Sequence, residues 1–187
     1  LAANTLIRPA AGAADFGAAH ALLAEMGRWD AAAAEAHGIP GQDILSAYYA
    51  DSVEDLSRRY AGPDAALLLA WVEGRAVGTV AFAPAGDEIA EIDKFFVSPD
   101  QRGRGLAGQL LGAAFDAMER GPFRRVRLES AEFMATALRV YEGQGFIRCA
   151  PFRAPLPSAA HVAVFMERPL GRSHDDPRLE GRGTTAG

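Results

Sequence analysis

Between residues 97 and 107 an apolar run gives way to Val97-Ser98-Pro99-Asp100-Gln101-Arg102-Gly103-Arg104-Gly105-Leu106-Ala107, and a strongly amphipathic stretch begins. Gly103 and Gly105 let the main chain approach a ligand closely, and the first N–H groups of a helix starting near Leu106 have no partner inside it. With the helix dipole behind them, these groups form a site for an anion, and phosphate is the natural guest. Each charge-assisted amide bond contributes about 1.5–3 kcal/mol, so three or four amides can hold a diphosphate without any side chain. Arg102 and Arg104 add positive charge to the same loop.

Two other phosphate sites compete for these residues. Gly103, Gly105 and Gly108 have the spacing of a dinucleotide fingerprint, and Glu129 follows about twenty residues on. In that fold the glycine turn follows its strand directly, whereas here Ser98 to Arg102 intervene and bring a proline and an arginine. A nucleotide-hydrolysing P-loop needs Gly-Lys-Ser or Gly-Lys-Thr, which does not occur after this loop.

The elements that must position the loop are legible from periodicity. Leu106, Leu110, Leu111, Ala114, Phe115 and Met118 recur on one stripe, predicting a helix that ends at Gly121-Pro122. Ahead of the loop, 65–72 and 75–83 are apolar runs separated by Glu73-Gly74, a hairpin signal, and 88–97 is a third run. In that run Glu91 and Asp93 share a parity with Phe95 and Val97, placing both carboxylates on one face unless a bulge intervenes. After the helix, 126–128 predicts a strand, 131–142 a helix, 145–147 a strand and 162–166 the last strand. The strand–helix–strand unit around 95–128 must be parallel.

The first 63 residues read as mainly helical after a short strand at Leu6-Ile7. Asp15 is the expected cap of a helix reaching about Gly27, a second piece covers 31–36, and Ser52 with Asp55 opens another. From Gly171 onward Gly, Arg, Asp and Thr dominate without period, so 171–187 is expected to be a disordered tail behind one domain, 1–170.

Composition narrows the partners. With 49% hydrophobic and 23% charged residues, the chain can bury one ordinary core. Its net charge of −5 gives no general attraction to nucleic acid or anionic membranes, so neither is an expected partner. One cysteine, Cys149, allows no internal disulfide and no thiolate metal cage, and the four histidines have no partnered spacing, so no metal is expected. The absence of a membrane-length apolar run or a signal-like start makes a cytoplasmic location the expectation.

The segment from Val97 to Ala107 resembles the acetyl-CoA-binding motif of the GNAT superfamily of N-acetyltransferases, with Arg102, Gly105 and Ala107 at the matching positions. Downstream, Ala137 to Phe146 is similar to that family's Ala, Tyr and Gly-Phe stretch, and the resemblance covers roughly 64–170. It implies an α+β fold, a mixed and mostly antiparallel sheet with helices on both faces that splays between the strands ending at Val97 and near Leu128. Acetyl-CoA as co-substrate would lie in the gap. Phe96 and Val97 would meet the pantetheine arm through their backbone, the Val97 amide would polarise the thioester carbonyl, and Arg102, Gly103, Arg104, Gly105, Leu106 and Ala107 would wrap the diphosphate. Met134 departs from the family's pattern, which carries Asn at that position in many members and so would lose a cofactor hydrogen bond.

The chemistry implied is direct transfer of an acetyl group to a primary amine of a small molecule or amino acid. An amine with pKa about 10.4 is almost wholly protonated at neutral pH, so a base is needed. Glu91, on the strand leading to the loop, is the candidate, with Glu129 its rival. Tyr141 would face the sulfur and supply the proton taken up by the leaving thiolate. Cys149 has no motif around it that favours an acyl-cysteine route. Acceptor contacts are expected from residues before Gly62 and from 151–161, with Trp29, Tyr48 and Tyr49 as possible groove walls and a monomer or homodimer as the assembly. A catalytically silent acyl-CoA sensor and a protein acetyltransferase are the alternatives.

Overall fold

In the computed structural model, described for residues 5–171, a seven-stranded sheet runs in the order β1-β2-β3-β4-β5-β7-β6. The strands are β1 (Thr5–Pro9), β2 (Ala66–Val72), β3 (Arg75–Pro84), β4 (Ile89–Val97), β5 (Arg125–Ala131), β6 (Ile147–Arg148) and β7 (Ala163–Pro169). Only β4 and β5 pair in parallel; every other neighbour is antiparallel. Of the expected tail, only Gly171 lies among the described residues.

Helices cover both faces. On one, α1 (Gly12–Glu35) and α3 (Val53–Tyr60) bury Phe16, Leu22, Leu23, Leu56 and Tyr60 against Leu67, Leu69, Ala81 and Phe96. On the other, α4 (Leu106–Glu119) and α5 (Ala135–Gly143) pack Leu110, Leu111, Met118, Leu138 and Tyr141 against Val80, Ile92, Val126 and Met166. The alternation of β2 and β3 side chains between these two cores is the period-2 geometry of a doubly covered sheet.

Local signals held where they were strongest. The β2–β3 hairpin closes through Glu73 and Gly74, both at positive φ, as a tight two-residue turn matched to strand twist requires. Ser52 and Asp55 form a reciprocal capping box at the start of α3.

The first helix differs from expectation in two ways. Its N-cap is Ala11; Asp15 sits one turn in, where its carboxylate accepts the Ala11 N–H at 2.8 Å and pairs with Arg8. Those partners hold the Asp15 carboxyl below the usual range. Nor does the helix break near Gly27: a Cβ there would lie 2.9 Å from the Tyr49 ring, so the missing side chain lets α1 continue while α2 (Gly41–Tyr48) closes against it. At the other end, α5 starts four residues later than expected, because β5 extends to Ala131 by pairing with Ala163 of β7.

Candidate active site

The site is organised by the place where the sheet comes apart. Pairing of β4 with β5 covers only Ile89, Ala90 and Glu91 opposite Arg125, Val126 and Arg127. Beyond it β4 keeps to β3 and β5 keeps to β7, so the two central strands diverge towards their C-terminal ends. A β-bulge sharpens the divergence: the register passes from Ala81 opposite Asp93 to Thr79 opposite Phe96, and Lys94 takes φ of 55°. Glu91 and Asp93 therefore stay together on the α1 side, while Phe95 and Val97 turn to the α4 side.

Register also decides which main-chain groups are free. Ser98 N–H donates to Val77 O at 2.9 Å, making 77 with 98, and 79 with 96, the bonded pairs. Phe96 thus spends its peptide groups on β3. Val97 lies between the bonded pairs, so its N–H and C=O point away from β3 into the opening beside β5. The Val97 carbonyl accepts Arg102 Nε at 3.0 Å, leaving the amide as the donor facing the gap.

The loop after β4 makes a short 3-10 turn, Pro99–Gln101, and enters α4 through Gly103 and Gly105, each at φ of 75°. Gly105 is the N-cap and brings no side chain, and the first intrahelical bond is Gln109 N–H to Gly105 O. The amides of Leu106, Ala107 and Gly108 are consequently left for a ligand. Arg104 is exposed beside them. Arg102 is also exposed but turns away from them: its guanidinium folds back over Trp29, 5.3 Å from the ring centre, and over Phe96 at 5.8 Å. The main chain from Gly103 onward, with Arg104, is what this loop offers an anion. These features fit the phosphates and thioester of an acyl-CoA.

Tyr141 of α5 lies across the opening from β4. Its ring packs between Phe95 and Phe146, with centroids at 5.5 and 5.7 Å. Burial raises its pKa, and the charges of Asp30 and Asp93 raise it further, so the phenol holds its proton tightly. Met134 N-caps α5, and its sulfur accepts the Ser130 hydroxyl at 3.7 Å.

On the α1 side of the sheet the carboxylates are netted by cations. Glu91 meets Arg127 Nε at 3.1 Å and also Arg153, which comes from the segment after β6. Arg153 reaches Glu129 at 2.7 Å as well, stapling β4 to β5 where their pairing ends. Glu129 further accepts the Tyr48 hydroxyl at 3.1 Å. Asp93 accepts Tyr60 through both oxygens and pairs with Arg59 at 2.9 Å, yet desolvation still raises its pKa. Lys94 pairs with Asp51 at 2.9 Å and donates to Tyr48 O, tying the bulge to the end of α2. Of the expected groove walls, Trp29 is 46% exposed, whereas Tyr49 is held on Asp30.

Sequence reasoning did not find Asp30, Arg153 or Lys94. Asp30 lies within an alanine-rich helix and Arg153 in an irregular segment, and neither carries a local signal. Among the described residues no group of three or more His, Cys, Asp or Glu could hold a metal ion, and no helix is long and apolar enough to cross a membrane. Burial raises the Cys149 thiol pKa and so suppresses its thiolate. Cys149 lines a concavity of about 220 Å³ with Arg125 and Phe152, at the end of β5 away from the opening.

A sheet that parts beside an uncapped glycine-framed helix start is the architecture of an acyl-CoA-dependent N-acyltransferase. The chain belongs to the Acetyltransferase (GNAT) family, whose pattern matches residues 29–146. It is 32% identical over 98 residues to an uncharacterised N-acetyltransferase of Escherichia coli, a match spanning 51% of this chain and 59% of that protein. An IAA acetyltransferase of Azospirillum brasilense is 32% identical over 111 residues, 59% of this chain and 71% of the relative. Among solved structures, a GNAT acetyltransferase of Staphylococcus aureus superposes with a TM-score of 0.69 at 16% identity, over 90% of this chain and all of the other. A ribosomal-protein-alanine N-acetyltransferase of Brucella melitensis gives 0.66 at 19% identity, over 88% and 99%. The family generally uses acetyl-CoA or another acyl-CoA.

Proposed function

We propose that this chain transfers acetyl from acetyl-CoA directly to the primary amine of a small molecule or amino acid. The observation that carries the reading is the convergence, at one opening in the sheet, of a free Val97 amide, the Tyr141 phenol and uncapped amides at 106–108. Bound acetyl-CoA supplies the activated acyl group. The α4 amides and Arg104 hold its phosphates, and the Val97 N–H donates to the thioester oxygen, where negative charge develops. The Tyr141 phenol gives its proton to the departing sulfur. Its raised pKa suits an acid that must stay protonated until a thiolate forms beside it.

The acceptor side supports a small substrate. The end of α1, α2 and the segment around Ala159 meet in one apolar cluster, Ala34, Ile39, Ile44 and Ala159, with Phe133 and Leu156 packed against it. This cluster packs against Phe133, just beyond the C-terminal end of β5. The test is thiol release from acetyl-CoA across a panel of small amines and amino acids. Release with at least one small amine is expected; cofactor binding by thermal shift with no release against any amine would favour a silent sensor instead.

A further inference from the structure

An acceptor that arrives as an ammonium ion must lose a proton before its nitrogen can attack, and four carboxylates face the acceptor side: Asp30, Glu91, Asp93 and Glu129. Three of them are paired with guanidinium groups. Glu91 gives one oxygen to Arg127 and the other to Arg153; Glu129 gives one to Arg153 and one to Tyr48. Asp93 is pinned by Tyr60 and Arg59. Every carboxylate oxygen of these three thus already has a partner.

Asp30 is different. It is 6% exposed, Oδ2 accepts the Tyr49 hydroxyl, and Oδ1 has no hydrogen-bond partner among the described residues. Among the described residues no cation is hydrogen-bonded to it. We propose that Asp30 Oδ1 takes the proton of the acceptor amine, with Tyr49 holding the other oxygen; this deepens the acetyltransferase reading and rests on it.

Placement supports the assignment. Asp30 follows Trp29, on which the Arg102 guanidinium lies, and Arg102 Nε is 3.0 Å from the carbonyl of Val97. The C-terminal half of α1 is thereby brought to the thioester end of the opening. Tyr49 is fixed in turn by the close approach of its ring to Gly27. The charged and titratable groups facing Asp30 are Tyr49 from the end of α2, Arg102 from the loop and Tyr141 from α5; Lys94 reaches the Tyr49 ring at 5.7 Å, and Asp93 acts on Tyr141. Burial pushes the Asp30 pKa up to about 6, against the Tyr49 hydrogen bond and the Arg102 charge, both of which lower it. The carboxylate is therefore mostly ionised at neutral pH yet basic enough to accept a proton.

The protons balance. One ammonium N–H bond breaks, its electron pair stays on nitrogen, and the proton adds to Asp30 Oδ1, from which water removes it after turnover. The second proton, lost as the amide forms, goes to the Tyr141 oxygen and replaces the one the phenol gives to sulfur.

The test is Asp30→Asn, which keeps the size and can still accept the Tyr49 hydroxyl. In the wild type, kcat/KM for the best amine of the panel should fall below an apparent pKa near 6. The variant should lose about a hundredfold or more in kcat/KM, in the range of acid–base catalysis, and lose that acidic limb. Affinity for coenzyme A should be unchanged. The folded-state pKa of Asp30 is raised, so its ionised form costs stability as pH rises through about 4 to 6, and the variant's thermal midpoint at pH 8 should equal or exceed the wild type's. Tyr49→Phe should move the acidic limb to higher pH. Wild-type kcat/KM in Asp30→Asn would overturn the proposal, as would a lowered midpoint with the limb retained. A wild type that releases thiol with no amine would instead sink the acetyltransferase reading, and carbon NMR titration of the Asp30 carboxyl would still refute its special state if it read an ordinary aspartate value.

Discussion

The two sides of the opening are built from different materials. On the α4 side, the groups offered to a ligand are main-chain amides framed by two positive-φ glycines, and the helix start carries no competing side chain. On the α1 side, nearly every functional group is a side chain engaged with another side chain far away in sequence, such as Tyr48 with Glu129 or Arg153 with Glu91. A backbone site binds what all acyl-CoA substrates share. A side-chain network can change its acceptor without disturbing the cofactor, provided the two halves act separately.

The largest effect that would break this division is expected at the one side chain used by both halves. Tyr141→Phe should lower kcat by about ten- to a thousandfold while coenzyme A affinity, read by calorimetry, stays within twofold (~2) of wild type. Unchanged turnover would remove the phenol from the chemistry.

Next is the loop itself. Valine at Gly105 meets no steric clash, since the nearest atom to a Cβ is Gln109 Nε2 at 3.9 Å, but it must adopt φ of 75°. That conformation costs an L-residue about 1–2 kcal/mol, more when β-branched, so Gly105→Val should weaken coenzyme A about tenfold. The acceptor KM should not move; a change there would show that the two halves are coupled.

A smaller effect is expected across the staple. Arg153→Ala removes the cation shared by Glu91 and Glu129, leaving Arg127 on the one and Tyr48 on the other, and the excess negative charge should lower KM for amines carrying a second positive group by about fivefold, equivalent to roughly 1 kcal/mol. Neutral-tailed amines should respond less, and coenzyme A affinity not at all. The smallest expected effect is structural: Ser52→Ala removes the capping box of α3, whose Tyr60 and Arg59 hold Asp93, and should cost about 1 kcal/mol, or a midpoint shift of about 2–4 °C by calorimetric scanning.

The same contrast explains what was legible in the sequence. The α4 stripe, the Glu73-Gly74 hairpin and the glycine loop are local patterns, and each could be read from fewer than about twenty neighbouring residues. Glu91 and Asp93 were placed on one face correctly, but the bulge at Lys94 that turns Phe95 and Val97 away left no mark in the pattern of apolar residues. That Arg102 folds back on Trp29, and that Arg153 reaches Glu91 from 62 positions away, depend on tertiary placement, which spacing along the chain does not encode. Gly27 shows the same principle from the other side: a helix-weakening residue marked a close approach of Tyr49, not a helix end.

The central claim is that the amides at the start of α4 bind the diphosphate of coenzyme A. Titrating coenzyme A into nitrogen-15-labelled protein and following backbone amide shifts tests it most directly. The largest saturable shifts should fall on Leu106, Ala107 and Gly108, with smaller ones at Gly103 and Val97. Binding that leaves those amides unmoved, or no binding to the folded protein, would contradict it.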